Sequence, residues 1–249
     1  MDIIAHIYTD MPAKFGVPRQ SGLVPELKGR IIFEEKYRNK EALKGLESFS
    51  YIWLIWQFSE ALKKAGDGQA WSPSVKPPRL GGRTKMGVFA TRSPFRPNRV
   101  GLSSVKLDRI AYDKKIGPVL YVSGIDMLDG TPIYDIKPYL AYADSHPDAG
   151  NGFAENTGAY ALEVVFPDRW LSMIPKEKRK GIMGVLSQDP RPAYHDFPDR
   201  IYGVEYAGFD VRFTVQKGIL TVCEVEELKG KRFREKISEE GKERITGGQ

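Results

Sequence analysis

Short apolar-rich stretches, each bounded by glycines or prolines, follow one another along the first half of the chain. They are rich in aromatic and β-branched residues, which favour strands, and few of them show the spacing of a long helix. The predicted strands cover residues 3–8, 30–34, 51–58, 86–91, 100–110 and 120–125. Many short strands joined by Gly/Pro turns are typical of a barrel or a sandwich.

The pattern changes after about residue 167. Residues 167–188 are predicted to be helical, with a second helix start after Pro175, and three strands follow at 201–206, 209–216 and 219–225. We therefore expect a mainly β protein with an α+β appendage. The predicted units are a β-rich domain over residues 1–145, a small C-terminal α+β domain over 146–228 and a charged tail over 229–249.

The composition of the chain indicates the cellular compartment in which the protein works. The chain has 249 residues and a single cysteine, Cys223, so it cannot form an internal disulfide, and a reducing cytosol is the simplest expectation. The N-terminus lacks a basic segment of the kind that begins a signal peptide. The longest apolar stretch, residues 51–58, is too short to span a bilayer. These features predict a soluble, cytoplasmic protein that does not engage a membrane.

Positive charge is concentrated in one segment. The net charge is +6, and between residues 75 and 110 there are nine Lys/Arg and one acidic residue, Asp108. A solvated surface usually mixes both signs, so this run favours contact with phosphate or nucleic acid over a plain solvated face.

Several familiar chemistries are absent from the sequence. It contains no P-loop, no G-x-G-x-x-G dinucleotide fingerprint and no G-x-S-x-G nucleophile elbow. The single cysteine and the three histidines His6, His146 and His195 do not have the spacing of zinc ligands, so no metal is expected. An enzyme with this sequence must hold its cofactor on a less common scaffold.

Residues 77–82 and 87–101 form the first candidate constellation, a proline-stiffened loop lined with arginines. Prolines restrict the backbone, so a ligand that orders the arginines costs less entropy. Arginine guanidinium groups fit carboxylate and phosphate in a bidentate manner. A surface turn with solvated arginines is the alternative interpretation.

Residues 126–139 form the second constellation, with Asp126, Asp129 and Asp135 around an Asp-Gly-Thr-Pro turn. Three carboxylates within ten residues could bind a ribose hydroxyl, an ammonium or a sulfonium. A hairpin with capping aspartates explains the same spacing. Arg191 and Tyr194 could hold a phosphate and stack on an unpaired base, or could belong to a structural turn.

Taken together, the motifs of this sequence resemble those of the TrmO family, also called TsaA-like or YaeB-like proteins. The motifs, in family order, are Pro18-Arg19-Gln20, Arg79-Leu80-Gly81-Gly82, residues 87–101, Asp129-Gly130-Thr131-Pro132, Asp135-Ile136-Lys137-Pro138-Tyr139 and Asp189-Pro190-Arg191-Pro192-Ala193-Tyr194. The resemblance implies a single-sheeted β-barrel over residues 1–145 that binds S-adenosylmethionine, often at the interface of a homodimer. It also implies N6-methylation of the threonylcarbamoyl-adenosine at position 37, beside the anticodon of threonine tRNA.

The resemblance also implies which residues contact the cofactor. They are Pro18, Arg19, Gln20, Ser59, Glu60, Arg92, Leu102, Asp129, Gly130, Thr131 and Pro132. Ser59 and Glu60 depart from the His-Gln pair of many relatives.

The chemistry of the implied reaction suggests further roles. The nucleophile would be a urea-type nitrogen whose lone pair is delocalised, so it needs help in losing its proton. We expect Asp135 or Asp126 to assist that proton, and Arg92 or Arg96 to stabilise negative charge. The side chains expected to contact RNA are Arg79, Arg83, Lys85, Arg99, Arg191 and Tyr194. Two other functions remain open: a tRNA-binding scaffold that lost activity, and a methyltransferase that acts on a substrate other than RNA.

Overall fold

The structure is a computed structural model. The structure describes residues 1–58, 71–77, 80, 84–157, 161–191, 197 and 199–228. The predicted tail over 229–249 therefore lies outside the described residues. So do five of the predicted site residues, which are Ser59, Glu60, Arg79, Arg83 and Tyr194.

Six antiparallel strands close into a barrel, which confirms the single-sheeted β-barrel. Around the barrel the strand order is β1-β2-β7-β6-β3-β8. The bounds are β1 Ala5–Thr9, β2 Lys28–Phe33, β3 Tyr51–Gln57, β6 Val100–Asp113, β7 Gly117–Ser123 and β8 Thr131–Pro138. A separate two-stranded ribbon, β4 Ser74–Val75 and β5 Met86–Gly87, lies in the long connection between β3 and β6.

Alternation of inward and outward side chains builds the barrel core. In β1 the residues Ala5 and Ile7 are fully buried, and in β3 the same is true of Ile52 and Leu54. Successive side chains of a strand point to opposite faces, so the residues between them face outward. Apolar side chains at every second position therefore fill the barrel and fix the strand register.

Three barrel connections carry predicted site residues, and they meet at one end of the barrel: those between β1 and β2, between β3 and β6, and between β7 and β8. At this end β1, β3 and β7 finish and β2, β6 and β8 begin, as the registers Thr9–Gly29, Lys28–Ser123 and Gln57–Val100 require. We call it the loop end. The opposite end holds the tight turn between β6 and β7.

Two local expectations were wrong. Residues 86–91 form only the two-residue β5 and then a 3₁₀ turn over Val88–Ala90, because the Val88 carbonyl accepts hydrogen bonds from both the backbone N–H and the hydroxyl of Thr91. The aspartate segment is not a hairpin either. β8 pairs with β1 and β3, whereas β7 pairs with β2 and β6.

The C-terminal part has the predicted α+β character. The helices are α1 Ala141–Asp144, α2 Asp168–Leu171 and α3 Lys176–Ser187, and the strands are β9 Glu163–Val165, β10 Tyr202–Tyr206, β11 Phe209–Gln216 and β12 Ile219–Glu227. The meander β10-β11-β12 gains β9 as a parallel edge strand. In the part of the chain that the structure describes, none of the helices is long and apolar enough to cross a membrane.

Candidate active site at the loop end of the barrel

The segment between β1 and β2 brings the first predicted cofactor residues to the loop end. Gly22 donates a backbone hydrogen bond of 2.8 Å to the carbonyl of Gly124, which ties this segment to the β7–β8 connection. Pro18 is buried, Arg19 is exposed, and the side-chain oxygen of Gln20 accepts a hydrogen bond from Nη1 of Arg92. Two segments far apart in sequence, both predicted to contact the cofactor, therefore meet at one hydrogen bond.

Asp126 forms the polar centre of this end. Its Oδ1 accepts a hydrogen bond of 2.7 Å from the hydroxyl of Ser103, which in turn accepts one of 2.9 Å from the indole N–H of Trp56. Burial raises the pKa of Asp126 to about 6, against the lowering effects of the Ser103 hydroxyl, backbone hydrogen bonds that include one from Ser21, and the positive charge of Arg92. The structure thus places a carboxylate with a pKa near neutrality beside the Gln20–Arg92 pair.

The Asp-Gly-Thr-Pro turn is held rigidly against β1. The backbone N–H of Thr9 donates to Oδ1 of Asp129 at 2.9 Å, and Gly130 donates to the carbonyl of Ile7 at 2.8 Å. Gly130 has φ +73°, a conformation that favours glycine over any residue with a Cβ. The hydroxyl of Thr131 closes the turn by donating to Leu128 at 2.8 Å. This geometry fixes the turn without any ligand.

The arginine loop is stiffened by its own polar groups as well as by proline. Nη1 of Arg96 donates to the carbonyls of Thr91 and Ser93, at 3.0 and 3.4 Å. The hydroxyl of Ser93 accepts from the backbone of Phe95 at 3.2 Å. The guanidinium of Arg96 thus braces its own loop, while that of Arg92 reaches the Asp126 cluster.

Leu102 and Asp135 lie on the outer face of the barrel instead of inside it. Both are in register with Ile55, so the three form one row across β6, β3 and β8. Leu102 is 57% exposed, which is unusual for leucine, and the half-exposed carboxylate of Asp135 lies 3.4 Å from Nζ of Lys137. The two candidate catalytic aspartates therefore have different surroundings: Asp126 bonds the inward-facing Ser103, and Asp135 faces outward.

The predicted RNA contacts are placed in two groups. Lys85 is exposed and Arg99 half-buried, and both lie in the connection that leads into β6. Arg191 is mostly buried and forms a two-pronged pair with the carboxylate of Asp189, at 2.8 and 2.9 Å. Its role in RNA contact stays a prediction, and the pair shows a structural use of the same side chain.

The sequence interpretation missed the inward-facing Ser103 and its hydrogen bond with the indole of Trp56. A serine at an inward position of a strand is a detectable signal, because a buried hydroxyl needs a hydrogen-bond partner. In the apolar strand predicted over residues 51–58, the indole of Trp56 is buried, whereas Tyr51 is 46% exposed. Among the described residues no group of His, Cys, Asp or Glu is arranged to hold a metal ion.

Comparison with known proteins matches both halves of the chain. A family model described as the tRNA-methyltransferase O N-terminal domain matches residues 6–145, and one described as the TrmO C-terminal domain matches residues 160–228. The tRNA (adenine(37)-N6)-methyltransferase of Escherichia coli is 40% identical over 210 residues, which are 81% of this chain and 87% of that protein.

Two further matches come from Pseudomonas aeruginosa. A putative S-adenosylmethionine-dependent methyltransferase, RcsF, is 38% identical over 222 residues, covering 84% of this chain and 90% of that protein. The crystal structure of TrmO superposes with a TM-score of 0.71 at 33% identity, covering 90% of this chain and 96% of that one.

Proposed function

Because the chain belongs to the tRNA-methyltransferase O family, we propose that it methylates N6 of adenosine 37 in tRNA with S-adenosylmethionine as the methyl donor. We propose further that the adenosine is the threonylcarbamoyl form in threonine tRNA, and that the enzyme works in the cytoplasm as a homodimer. The observation that carries the proposal is the convergence of Gln20, Arg92 and Asp126 at one end of the barrel.

The residues at the loop end fit the donor chemically. The donor carries a carboxylate, an ammonium and a sulfonium, so a site for it needs both signs of charge and an apolar surface for its adenine. The exposed guanidinium of Arg92 suits the carboxylate, and the exposed carboxylate of Asp129 suits the cationic groups. The exposed side chain of Leu102 supplies apolar surface near the same end.

When bound, the donor supplies a methyl group on a positively charged sulfur, open to direct displacement. The task of the protein is then to hold the nucleophile in line and to take up a proton. Asp126 suits the second task because its raised pKa, about 6, makes it a stronger base than an ordinary carboxylate while it is still mostly ionised at pH 7. We therefore assign proton uptake to Asp126 and keep Asp135, on the outer face, for contact with the RNA substrate.

Mass spectrometry of tRNA nucleosides tests the function directly. Incubation of the wild-type chain with donor and with tRNA that carries threonylcarbamoyl-adenosine should add one methyl group to that nucleoside. Addition to plain adenosine 37 instead would overturn the proposed substrate but not the methyltransferase activity. No addition to any nucleoside, together with measurable binding of the donor in calorimetry, would favour a non-RNA substrate. Absence of donor binding would favour the scaffold.

The assignment of the two aspartates is tested by matched substitutions. Asp126→Asn should lower kcat by about 100-fold or more while tRNA still binds, since general base catalysis is typically worth about 10²–10⁴. Asp135→Asn should mainly raise the KM for tRNA. The reverse pattern would transfer proton uptake to Asp135. Light scattering of the wild-type protein, with a single species at the monomer mass, would remove the homodimer from the proposal.

A further inference from the structure

Three exposed aromatic side chains gather on the connection between β3 and β6. The rings of Trp71 and Phe89 stack with centroids 6.0 Å apart and an interplanar angle of 27°. Phe95 joins them through its backbone, because its carbonyl accepts a hydrogen bond of 3.2 Å from the N–H of Ser72. We call Trp71, Phe89 and Phe95 the aromatic lobe.

Backbone hydrogen bonds order the segment that carries the aromatic lobe. The ribbon β4–β5 pairs Ser74 with Gly87, and the carbonyl of Pro73 accepts a hydrogen bond of 3.0 Å from the N–H of Val88. Val88 is buried, so it anchors the 3₁₀ turn that presents Phe89 outward. The backbone that carries the rings is therefore held in place before any partner binds, which reduces the entropy lost on binding.

The rings are nevertheless left open to solvent. Phe89 is 71% exposed, Phe95 50% and Trp71 44%. The stacked pair Trp71–Phe89 and the exposed ring of Phe95 on the adjoining backbone form an apolar surface, and such surfaces mark binding sites whereas single exposed apolar residues do not. Because the patch is apolar and its flat faces are accessible, its partner must offer either apolar or π-stacking surface.

The charge around the aromatic lobe selects between these partners. The sequence has no Asp or Glu from residue 71 to residue 107, and exposed Lys76, Lys85 and Arg92 lie in the same stretch. A two-fold dimer contact would bring this positive patch against itself, which like-charge repulsion disfavours. A single-stranded polyanion with stackable bases satisfies both the charge and the rings.

We propose that the aromatic lobe is a stacking platform for the unpaired tRNA nucleotides that flank the methylated adenosine. The inference rests on the proposed function, in which tRNA is the substrate. It adds the surface of the protein that binds the anticodon loop. The lobe lies next to the candidate active site, because the same turn that presents Phe89 leads directly to Arg92, which reaches Gln20 and Asp126. Stacking there would open the anticodon loop and deliver the adenosine to the loop end of the barrel.

Substitutions at Phe89 separate a stacking role from a merely apolar one. Phe89→Ala should raise the Kd for bulk tRNA about 5- to 100-fold at constant salt, the range expected when one base loses an aromatic partner. Phe89→Tyr keeps the ring and should bind as wild type. Phe89→Leu keeps apolar volume without the ring and should bind as weakly as the alanine variant. Tyr112→Ala is the matched control, because Tyr112 is also an exposed aromatic residue, at 50%, but lies at the far end of β6.

Two further measurements distinguish a platform for tRNA from a contact between two copies of the chain. Calorimetry with S-adenosylmethionine and light scattering should show donor affinity and molecular mass unchanged in the Phe89 variants. A change of mass with tRNA affinity retained would identify the lobe as a contact between two copies and overturn the platform. Wild-type affinity in Phe89→Ala, with methylation intact, would also overturn it. Weakened binding in an enzyme that methylates no tRNA would support the platform while refuting the proposed function.

Discussion

At the scale of single residues, Asp126 should make stability depend on pH. Its folded-state pKa is raised to about 6 from an ordinary value of 3.8, so the folded state holds the proton more tightly than the unfolded one. The stability from this group is therefore fully present below about pH 4 and is lost as the pH rises through 6. Between pH 4.5 and 8 the loss should be about 2 kcal/mol.

Urea denaturation of Asp126→Asn and wild type across this range measures that loss. The stability of the variant relative to wild type should improve by about 2 kcal/mol from pH 4.5 to 8, because asparagine does not titrate. Ser103→Ala is the companion variant. It removes a hydrogen bond that lowers the pKa of Asp126, so the midpoint of the pH effect should move above 6. A stability difference between Asp126→Asn and wild type that does not change with pH would contradict a raised pKa for the buried carboxylate.

Residue-level roles were only partly predictable from the sequence. The motifs pointed to Gln20, Arg92 and the Asp-Gly-Thr-Pro turn, and the structure joins Gln20 to Arg92 by a hydrogen bond while the turn is bonded to β1. The partners of Arg96 and Arg191 were not predictable, since a guanidinium pairs with whatever acceptor the tertiary fold offers. Arg96 bonds its own loop and Arg191 bonds Asp189.

At the scale of elements, the packing of β6 against β3 depends on Gly101. A Cβ placed there would lie 2.3 Å from Cε2 of Trp56, whose indole also bonds Ser103. Gly101→Ala should therefore destabilise the fold by about 1–3 kcal/mol, the usual cost of overpacking a core. The urea midpoint measures this change. Gly87→Ala is the control, because its φ is −56° and its added Cβ would touch nothing within 4 Å.

A double substitution tests the cause of that cost. Trp56→Phe replaces the two fused rings of the indole by one smaller ring, so the Gly101→Ala change should cost less in that background than in wild type. Equal costs in both backgrounds would show that the strain lies in the backbone of β6 and not against the indole.

The strands were more predictable than their partners. Apolar alternation marks a strand wherever one face is buried, so five of the six barrel strands were found within a few residues, whereas β8 was missed because its segment was interpreted as a turn. Alternation carries no information about which strands pair, which is why the aspartate segment also fitted a hairpin. The apolar run after Met86 was misassigned because side-chain hydrogen bonds of Thr91 and Ser93 fold it into a turn.

At the scale of the whole molecule, one continuous apolar core joins the barrel to the C-terminal sheet. The segment between β1 and β2 lies at this junction. Val24 fills the space above Gly184 of α3, and Asp10 pairs with Lys178 at 2.5 Å. The same segment carries Pro18, Arg19 and Gln20 to the candidate active site. The C-terminal part thus packs against the segment that carries these site residues. The domain boundary near residue 145 stays a prediction.

This shared core predicts one cooperative unfolding transition. The calorimetric and van't Hoff enthalpies of the full chain should agree, and Val24→Ala should lower the stability of the single transition by about 2 kcal/mol. Val165→Ala, at an exposed position of β9, should change it by less than about 0.5 kcal/mol. Two resolved transitions, only one of which responds to Val24→Ala, would show that the two parts fold independently.

The distribution of charge over the molecule predicts how tRNA binding depends on salt. The net charge is +6, and the positive residues are concentrated on the connection that enters β6 at the loop end. Each phosphate neutralised by a protein cation contributes about 0.7–0.9 to the slope of log K against log salt. Lys85→Ala should therefore weaken tRNA binding and reduce the slope by about that amount. Lys114→Ala, in the exposed turn at the opposite end of the barrel, removes the same charge from a different place. If both variants lowered the slope of log K against log salt equally, net charge alone would account for the attraction. The loop end would then not be the surface that orients the RNA.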